Sequence, residues 1–304
     1  MVRWIRHNYP WAMLPLDWVV GVLVLIGLRL VRALGPDRAS DLGAAVAPRV
    51  GRFFKANRTG YANLKAAFPE KSEAEIQAIL HGVWENLGRT ACEYACMDDL
   101  WDFDVNRPNQ GRIMTDDVPL YERLRDDGKP AIFFAAHLAN WEMPAVAAAA
   151  HGLDTTALYR MPNNRFVAQA ISKIRGRTMG KMVASGGAGV LQLARELERN
   201  NHIGMLIDQH LARGVDVTFF GRPAKANPTA AKLAREFDCP VHGARVIRLP
   251  GNRFRLEATE ELVLPRDAEG RIDVKGAMQA MTDVVEAWVR EHPEQWLWLH
   301  RRWR

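Results

Sequence analysis

From about residue 120, short apolar runs alternate with segments of helical periodicity, and this alternation restricts the fold more than any other feature of the chain. The predicted strands span residues 131–137, 154–159, 202–207, 215–220, 240–248 and 253–259. The predicted helices span residues 141–151, 164–176, 186–200, 227–238 and 273–292. The alternation predicts an α/β fold with a mixed, mostly parallel sheet flanked by helices.

Residues 37–102 carry helical patterns, and we expect them to form a helical layer on the α/β core. The sequence Ser72-Glu73-Ala74-Glu75 is a capping box, which predicts a helix that begins just after Ser72. Apolar residues then recur at helical spacing, which is typical of a buried core face; they are Ile76, Ile79, Leu80, Val83, Trp84 and Leu87.

The N-terminal segment is uncharged from residue 18 to residue 28 and is followed by Arg29 and Arg32. With its flanks it just reaches the roughly 20 residues of a membrane span. We predict a membrane-anchoring helix within residues 1–35, either spanning the bilayer or lying in its interface, with Trp4, Trp11 and Trp18 near the headgroups. An ordinary buried helix is the alternative, and no clear cleavage site marks a signal peptide. Residues 36–304 would form the main domain.

The chain is basic, with a net charge of +6 and a pI of about 9.4. Such a surface favours anionic partners such as phospholipid headgroups, an acidic carrier protein, phosphorylated sugars or nucleic acid. The sequence contains no zinc-finger spacing, RNP-like strand or basic zipper, which argues against nucleic acid. Three cysteines, Cys92, Cys96 and Cys239, argue against a disulfide scaffold and for a reducing compartment.

The segment His137-Leu138-Ala139-Asn140-Trp141-Glu142 directly follows the apolar run of residues 131–136, so that the strand predicted at 131–137 ends at His137. A histidine at a strand-to-helix turn lies where α/β proteins place their chemistry. We predict His137 as a general base and Glu142 as the carboxylate that orients it. Asn140 and Trp141 are candidate substrate-binding residues. The alternative is a core histidine beside a surface glutamate in the first helical turn.

The next strand ends in Tyr159-Arg160, and two further cations, Arg175 and Arg177, lie a few residues downstream. Arginine at a strand's carboxyl end can hold a phosphate or carboxylate with two parallel hydrogen bonds. These four residues are therefore candidates for substrate binding. A solvated basic face is the alternative reading of the arginines.

A third apolar run ends in Asp208-Gln209-His210, which would share the sheet edge of His137 if the strands are parallel. We predict that Asp208 and Gln209 bind substrate, with Asp208 either holding Arg160 or Arg175 or binding sugar hydroxyls. A metal site at Asp208 and His210 is an alternative, although the spacing suggests no further ligand. Asn227-Pro228 predicts a helix start close to the same edge.

The chain ends in Trp296-Leu297-Trp298-Leu299-His300-Arg301-Arg302-Trp303-Arg304, which mixes indoles with cations. This mixture fits a membrane interface, and packing of the indoles against the core is the equal alternative.

Taken together, these segments resemble the late acyltransferases of lipid A biosynthesis, within the broader lysophospholipid acyltransferase superfamily. The likeness covers nearly the whole chain. Besides the segments above, it includes Asn63-Leu64-Lys65-Ala66-Ala67-Phe68-Pro69, Asn86-Leu87-Gly88-Arg89, Glu93 and Phe219-Phe220-Gly221. The His137-x4-Glu142 box resembles the whole superfamily, whereas Asp208-Gln209 and the C-terminal segment resemble the lipid A branch. His210 stands where that branch commonly has an acidic residue.

The resemblance implies transfer of a fatty acyl chain from acyl carrier protein to the hydroxyl of a 3-hydroxyacyl chain on a lipid A precursor. It implies that His137 takes the hydroxyl proton, that Glu142 polarises His137, and that Arg160, Arg175 and Arg177 bind acceptor phosphate or stabilise the oxyanion. No metal or organic cofactor is implied. Residues 36–304 would be the acyltransferase domain, on the cytoplasmic face of the inner membrane of a Gram-negative bacterium.

Two other readings remain open from the sequence. One is an acyltransferase that acts on another lysophospholipid or glycolipid. The other is a non-catalytic peripheral membrane protein that uses the basic, Trp-rich surface.

Overall fold

The computed structural model describes residues 13–303, so the expectations for Trp4 and Trp11 lie outside the described residues. Helices α1 (Leu14–Ala33), α2 (Pro36–Gly51), α3 (Lys55–Ala67) and α4 (Glu73–Glu93) form the N-terminal part. A 3-10 turn at Tyr94–Cys96 and the short helix α5 (Met97–Leu100) follow. The predicted capping box is confirmed, since the Ser72 hydroxyl accepts from the Glu75 amide and the Glu75 carboxylate accepts from the Ser72 amide.

The second part alternates strands and helices, as predicted. Its strands are β1 (Ile113–Met114), β2 (Ile132–Ala135), β3 (Thr155–Tyr159), β4 (Lys181–Ala184), β5 (His202–Leu206), β6 (His210–Phe219), β7 (Arg222–Ala226), β8 (Val241–Leu249) and β9 (Arg253–Ala258). Its helices are α6 (Val118–Asp126), α7 (Met143–Ala150), α8 (Arg165–Thr178), α9 (Gly187–Glu198), α10 (Thr229–Phe237) and α11 (Val274–Glu291), before a 3-10 turn at Pro293–Gln295.

Seven strands form one sheet in the order β1-β9-β8-β2-β5-β3-β4. Every neighbouring pair is parallel except β8 and β9, so the predicted mixed, mostly parallel sheet is confirmed. Strands β6 and β7 form a separate antiparallel hairpin. Because β2, β5 and β3 run in the same direction, the residues that follow them meet at one edge of the sheet.

The register of the central strands decides which residues meet at that edge. Ala135 of β2 pairs with Leu206 of β5. His137 and Asp208 each follow two residues later, so they lie side by side. Phe133, Ala135 and His137 also share one face, because successive side chains of a strand alternate between the two faces. The same face carries Ala157 of β3.

The N-terminal helices pack as the predicted layer. Helices α2 and α4 approach closely at Gly43 and Gly88, where a Cβ on Gly43 would lie 2.1 Å from the Gly88 carbonyl oxygen. Only glycine permits this separation of the two backbones. Helix α4 carries Asn86, Thr90 and Glu93 on its buried side, towards the loop that follows β2.

Helix α1 is 20 residues long and apolar enough to cross a membrane by length and composition. Its side chains are largely exposed, and Gly21 is its buried residue, packed on Phe166 of α8. Asn164, which caps α8, donates to the carbonyl of Asp17. The alternative of an ordinary buried helix is therefore wrong for Leu14–Ala33 in this structure.

Candidate active site

His137 is held in one orientation by the carboxylate of Asp208. The ring Nδ1 lies 2.7 Å from Asp208 Oδ1, and the backbone N–H of His137 donates to Oδ2 at 2.9 Å. The indole N–H of Trp296 donates to the same Oδ2 at 2.7 Å. With Nδ1 protonated and facing Asp208, the ring presents Nε2 as an acceptor. The side-chain amide nitrogen of Gln209 lies 3.2 Å from His137 Nε2 and can donate a hydrogen bond to it.

The surroundings keep Asp208 ionised. Its side chain is 3% exposed, and burial alone would raise its pKa. The positive charge available on His137, together with the hydrogen bonds from His137 and Trp296, outweighs burial and lowers the pKa of Asp208 to about 2. Asp208 is therefore a fixed negative charge beside the imidazole, able to stabilise the imidazolium that forms when His137 takes a proton.

Glu142 does not fill the orienting role expected for it. Its carboxylate binds Arg175, with Nη2 to Oε1 at 2.5 Å and Nε to Oε2 at 3.2 Å. Both side chains are nearly buried, and the Arg175 guanidinium also lies 4.7 Å from the centre of the Tyr159 ring. Burial opposes the charge of Arg175, but the nearby Glu142 carboxylate outweighs it and raises its pKa. The pair thus places a cation in the wall next to His137.

The expectation that Asp208 binds substrate or an arginine is likewise corrected, because its oxygens are used by His137 and Trp296. Asn140 is fully buried and donates to Glu93 Oε2 at 2.9 Å, so it supports the loop and does not reach substrate. Arg177 is exposed and lies outside the residues that line the cavity next to His137. Trp141, Tyr159, Arg160, Arg175 and Gln209 all line that cavity.

The loop that carries His137 is held from two sides. Ala139 has a φ of 45°, which non-glycine residues rarely adopt. Its carbonyl accepts from Asn86 at 3.2 Å and from Thr90 at 3.0 Å, and its amide donates to the carbonyl of Gln295. Helix α4 and Gln295, just before the C-terminal segment, therefore hold a strained turn two residues after His137.

A buried ion pair anchors this support. Glu93 of α4 is fully buried and accepts from Arg248 of β8 at both carboxylate oxygens, the longer contact being 2.9 Å. Arg248 also donates to Asn86 at 2.9 Å. Asn86 and Glu93 were recognised from the resemblance, whereas nothing in the sequence pattern singled out Arg248.

The C-terminal segment packs on the core. Trp296 and Trp298 are 3% and 0% exposed, so for these indoles the packing alternative is confirmed and the membrane-interface reading is wrong. Leu297 donates its amide to the carbonyl of His137 at 3.1 Å. The His300 ring lies 6.4 Å from the His137 ring, and burial followed by the nearby His137 charge lowers the pKa of His300.

A cavity of about 500 Å³ opens from His137 and runs along the sheet beneath α7. Its mouth has the polar groups of His137, Glu142, Tyr159, Arg160 and Arg175. Its far part is lined by Tyr121, Phe133, Ala148, Ala157, Gly204 and Ala244. Because Phe133 and His137 are four residues apart on one face, the cavity extends about 13 Å along the strand.

The mostly small, apolar lining of the far part suits a hydrocarbon chain, and the volume lies within the usual range for small-molecule sites. Asn227 also lines the cavity, and its side chain accepts from the amide of Thr229 at the start of α10, as the Asn-Pro sequence indicated. Within residues 13–303, no cluster of three or more His, Cys, Asp or Glu side chains could hold a metal ion.

The family model described as bacterial lipid A biosynthesis acyltransferase matches residues 9–304. A lipid A biosynthesis myristoyltransferase of Escherichia coli K12 is 25% identical over 97% of this chain and 87% of its own length. Two Shigella flexneri proteins, lipid A biosynthesis acyltransferases 1 and 2, are 25% and 26% identical over 97% of this chain, covering 87% and 91% of their own lengths. With a model that matches nearly every residue, the chain belongs to the bacterial lipid A biosynthesis acyltransferase family.

Proposed function

We propose that this acyltransferase moves a fatty acyl chain from the thioester of acyl carrier protein to the hydroxyl of a 3-hydroxyacyl chain on a lipid A precursor. The hydroxyl oxygen attacks the thioester carbonyl carbon, a C–O bond forms, and the C–S bond breaks. The products are the new ester and the free thiol of the carrier protein.

His137 acts as the general base. The hydroxyl takes the place of the Gln209 amide at Nε2 and gives its proton to His137 as the new bond forms. The protonated ring then returns the proton to the leaving sulfur. Asp208, ionised and bonded to Nδ1, stabilises the imidazolium between these two steps. Asp208 is thus a positioning residue that acts through His137.

Glu142 acts through Arg175. Two hydrogen bonds fix the guanidinium in the cavity wall, where it and Arg160 face the polar part of the acceptor. A planar guanidinium suits phosphate recognition, and a cation in a wall shielded from water also stabilises the oxyanion of the tetrahedral intermediate. Trp141 and Tyr159 frame the same mouth.

The apolar part of the cavity holds an acyl chain, since mostly small side chains and a glycine leave room beneath α7. The carrier protein is a soluble donor, whereas the acceptor chains lie in a bilayer. The enzyme therefore works at the cytoplasmic face of the inner membrane, with α1 as the anchor. Its net charge of +6 suits both an acidic carrier protein and anionic lipid.

The single observation that carries the proposal is the His137–Asp208 pair at the mouth of a mainly apolar cavity. Mass spectrometry of lipid A from a deletion strain tests it. We expect lipid A that lacks one secondary acyl chain, restored by the native gene and not by His137→Ala expressed at the same level. Unchanged lipid A in the deletion strain would contradict the acceptor, and restoration by His137→Ala would contradict the base.

A further inference from the structure

Helix α2 and the turn after it present an unusual surface that the reaction does not use. Helical spacing brings Leu42, Val46 and Val50 onto one exposed face, where each is 42–48% exposed. Phe53 and Phe54 continue this face beyond the end of the helix and are 76% and 54% exposed. A neighbouring face of α2, with Gly43 and Gly51, packs on α4.

Cations surround these apolar side chains. They are Arg38, Arg49, Arg52, Lys55 and Arg58, all exposed. Among the described residues none of the five forms an ion pair, whereas the two exposed aspartates of α2 are paired, Asp37 with Arg112 and Asp41 with Arg89. The surface, which we call the interfacial surface, therefore combines five exposed apolar residues with five unneutralised cations.

The interfacial surface borders a broad groove of about 1150 Å³ between the start of α3 and the C-terminal segment. Arg52, Lys55, Arg58 and Arg301 line this groove, and its lining includes no acidic residue. Asn63 ties the groove to the catalytic site, because its side chain donates to the carbonyls of Trp298 and His300. His300 also lines the catalytic cavity.

From these observations we infer that the interfacial surface docks on an anionic lipid bilayer, as a second membrane contact in addition to α1. Apolar side chains in a stripe, with cations beside them, are the pattern of helices that lie in the headgroup region. Helix α2 also follows α1 directly in the chain, since α1 ends at Ala33 and α2 begins at Pro36, so an anchored α1 keeps the stripe close to the membrane.

Charge favours a bilayer over a second copy of the chain. A two-fold dimer through this surface would bring its five cations opposite the same five in the partner, and like charges in contact are unfavourable. Anionic headgroups satisfy the same cations, at a gain of about fivefold in binding per charge. The consequence is an enzyme held at two places, through α1 and the interfacial surface, with the groove near the lipid surface.

Depth-dependent quenching tests the inference on the full-length chain. Val46→Cys and Phe53→Cys carry an environment-sensitive dye in vesicles that contain phosphatidylglycerol and brominated lipid. Val263→Cys, at a side chain that is 97% exposed, is the matched control, and Leu23→Cys in α1 reports insertion. Labelled native protein gives the background from Cys92, which is half-buried.

We expect bromine to quench the dye at positions 46, 53 and 23 and to leave position 263 unquenched. If positions 46 and 53 are as unquenched as 263 while position 23 is quenched, the surface does not face the membrane and the inference is wrong. If these positions are instead shielded in detergent without lipid by a particle of twice the chain mass, a second copy is the occupant and the inference is likewise wrong.

The cations are tested separately. Arg49→Gln with Arg52→Gln should reduce the quenching at position 46, through a docking equilibrium about 25-fold weaker, and phosphatidylcholine vesicles should do the same. Arg195→Gln with Lys232→Gln removes the same charge from α9 and α10 and should change nothing. If the quenching at position 46 is the same with the native cations, with Arg49→Gln and Arg52→Gln, with Arg195→Gln and Lys232→Gln, and in phosphatidylcholine vesicles, the surface does not recognise anionic lipid. These readouts do not involve acyl transfer, so their failure leaves the proposed reaction untouched.

Discussion

Replacing Asp208 with asparagine should lower kcat by about 10³- to 10⁴-fold without unfolding the protein. In the native site Asp208 Oδ1 accepts from His137 Nδ1, while Oδ2 accepts from the His137 amide and the Trp296 indole. An asparagine oxygen can keep the two bonds at the Oδ2 position. Its NH2 group then faces Nδ1, so the ring proton moves to Nε2, and His137 no longer presents an acceptor to the substrate.

The fold should survive, because two of the three hydrogen bonds persist. The pKa of Asp208, about 2 against an ordinary 3.8, means that its charge stabilises the folded protein above about pH 4 and that this contribution is lost as pH falls through 2. The asparagine variant lacks the contribution. We expect its free energy of unfolding at neutral pH to be lower by about 1–3 kcal/mol, with the difference from native shrinking as the pH approaches 2.

The assay is steady-state acyl transfer in detergent, with circular dichroism and thermal unfolding on the same samples. Glu142→Gln is the matched control, because it neutralises another nearly buried carboxylate next to the cavity without touching the His137 ring. Glu142→Gln should mainly raise KM for the acceptor, because the Arg175 guanidinium would be held less firmly. A folded Asp208→Asn variant with near-native kcat, or a larger loss of kcat in Glu142→Gln, would refute this account of the base.

Arg175→Lys should raise KM for an acceptor that bears phosphate by about 10- to 100-fold, because an ammonium cannot reproduce the planar fork; an equal loss on an acceptor without phosphate would exclude phosphate recognition. Gly204→Leu should shift the preference towards shorter acyl donors, at about 0.8 kcal/mol for each CH2 group displaced. The control is Gly204→Ala, because a Cβ at this position meets no atom nearer than Thr155 at 3.7 Å. If the folded Gly204→Leu variant keeps the native preference for acyl chain length, the cavity does not select the acyl chain. A chain without residues 1–32 should shift towards the soluble fraction and retain more activity on detergent-dispersed than on membrane-embedded acceptor. Full pelleting that resists about 1 M salt would refute the anchor, since charges are largely screened there.

Much of the fold follows from local patterns. The helices predicted at 186–200 and 273–292 begin and end within two residues of α9 and α11, because their apolar periodicity and end signals are strong. The sequence patterns do not predict strands β1, β4 and β7 or helix α6. Strand β1 has only two residues, which is too short for a recognisable pattern. Helix α6 has nine residues and buries only Leu120, Tyr121 and Leu124, so its apolar periodicity is weak.

The partners of His137 could be predicted only in part. His137 and Asp208 were expected at one sheet edge, and the parallel pairing of β2 with β5 confirms this. Nearness in the sequence favours Glu142 as the orienting group, but the first turn after His137 places its carboxylate on Arg175. Residue 208 becomes the neighbour through the register of β2 on β5, which periodicity does not determine.

Long-range contacts explain the remaining differences. Trp296 reaches Asp208 across 88 residues, and Arg248 reaches Glu93 across 155. The sequence alone does not decide whether the indoles of the C-terminal segment lie in a membrane interface or in the core, since tryptophan suits both environments. Only the folded structure shows that the indole of Trp296 donates to Asp208, the partner of His137.

The most direct test of the account is the turnover of purified full-length protein with an acyl carrier protein thioester and a lipid A precursor, with the product identified by mass spectrometry. We predict an ester product one acyl chain heavier with the native protein. A correctly folded His137→Ala variant should form it about 10²- to 10⁴-fold more slowly. Turnover by that variant near the native rate, or no ester from the native protein with any carrier-bound acyl chain, would contradict the assignment of His137 as the base for acyl transfer to lipid A.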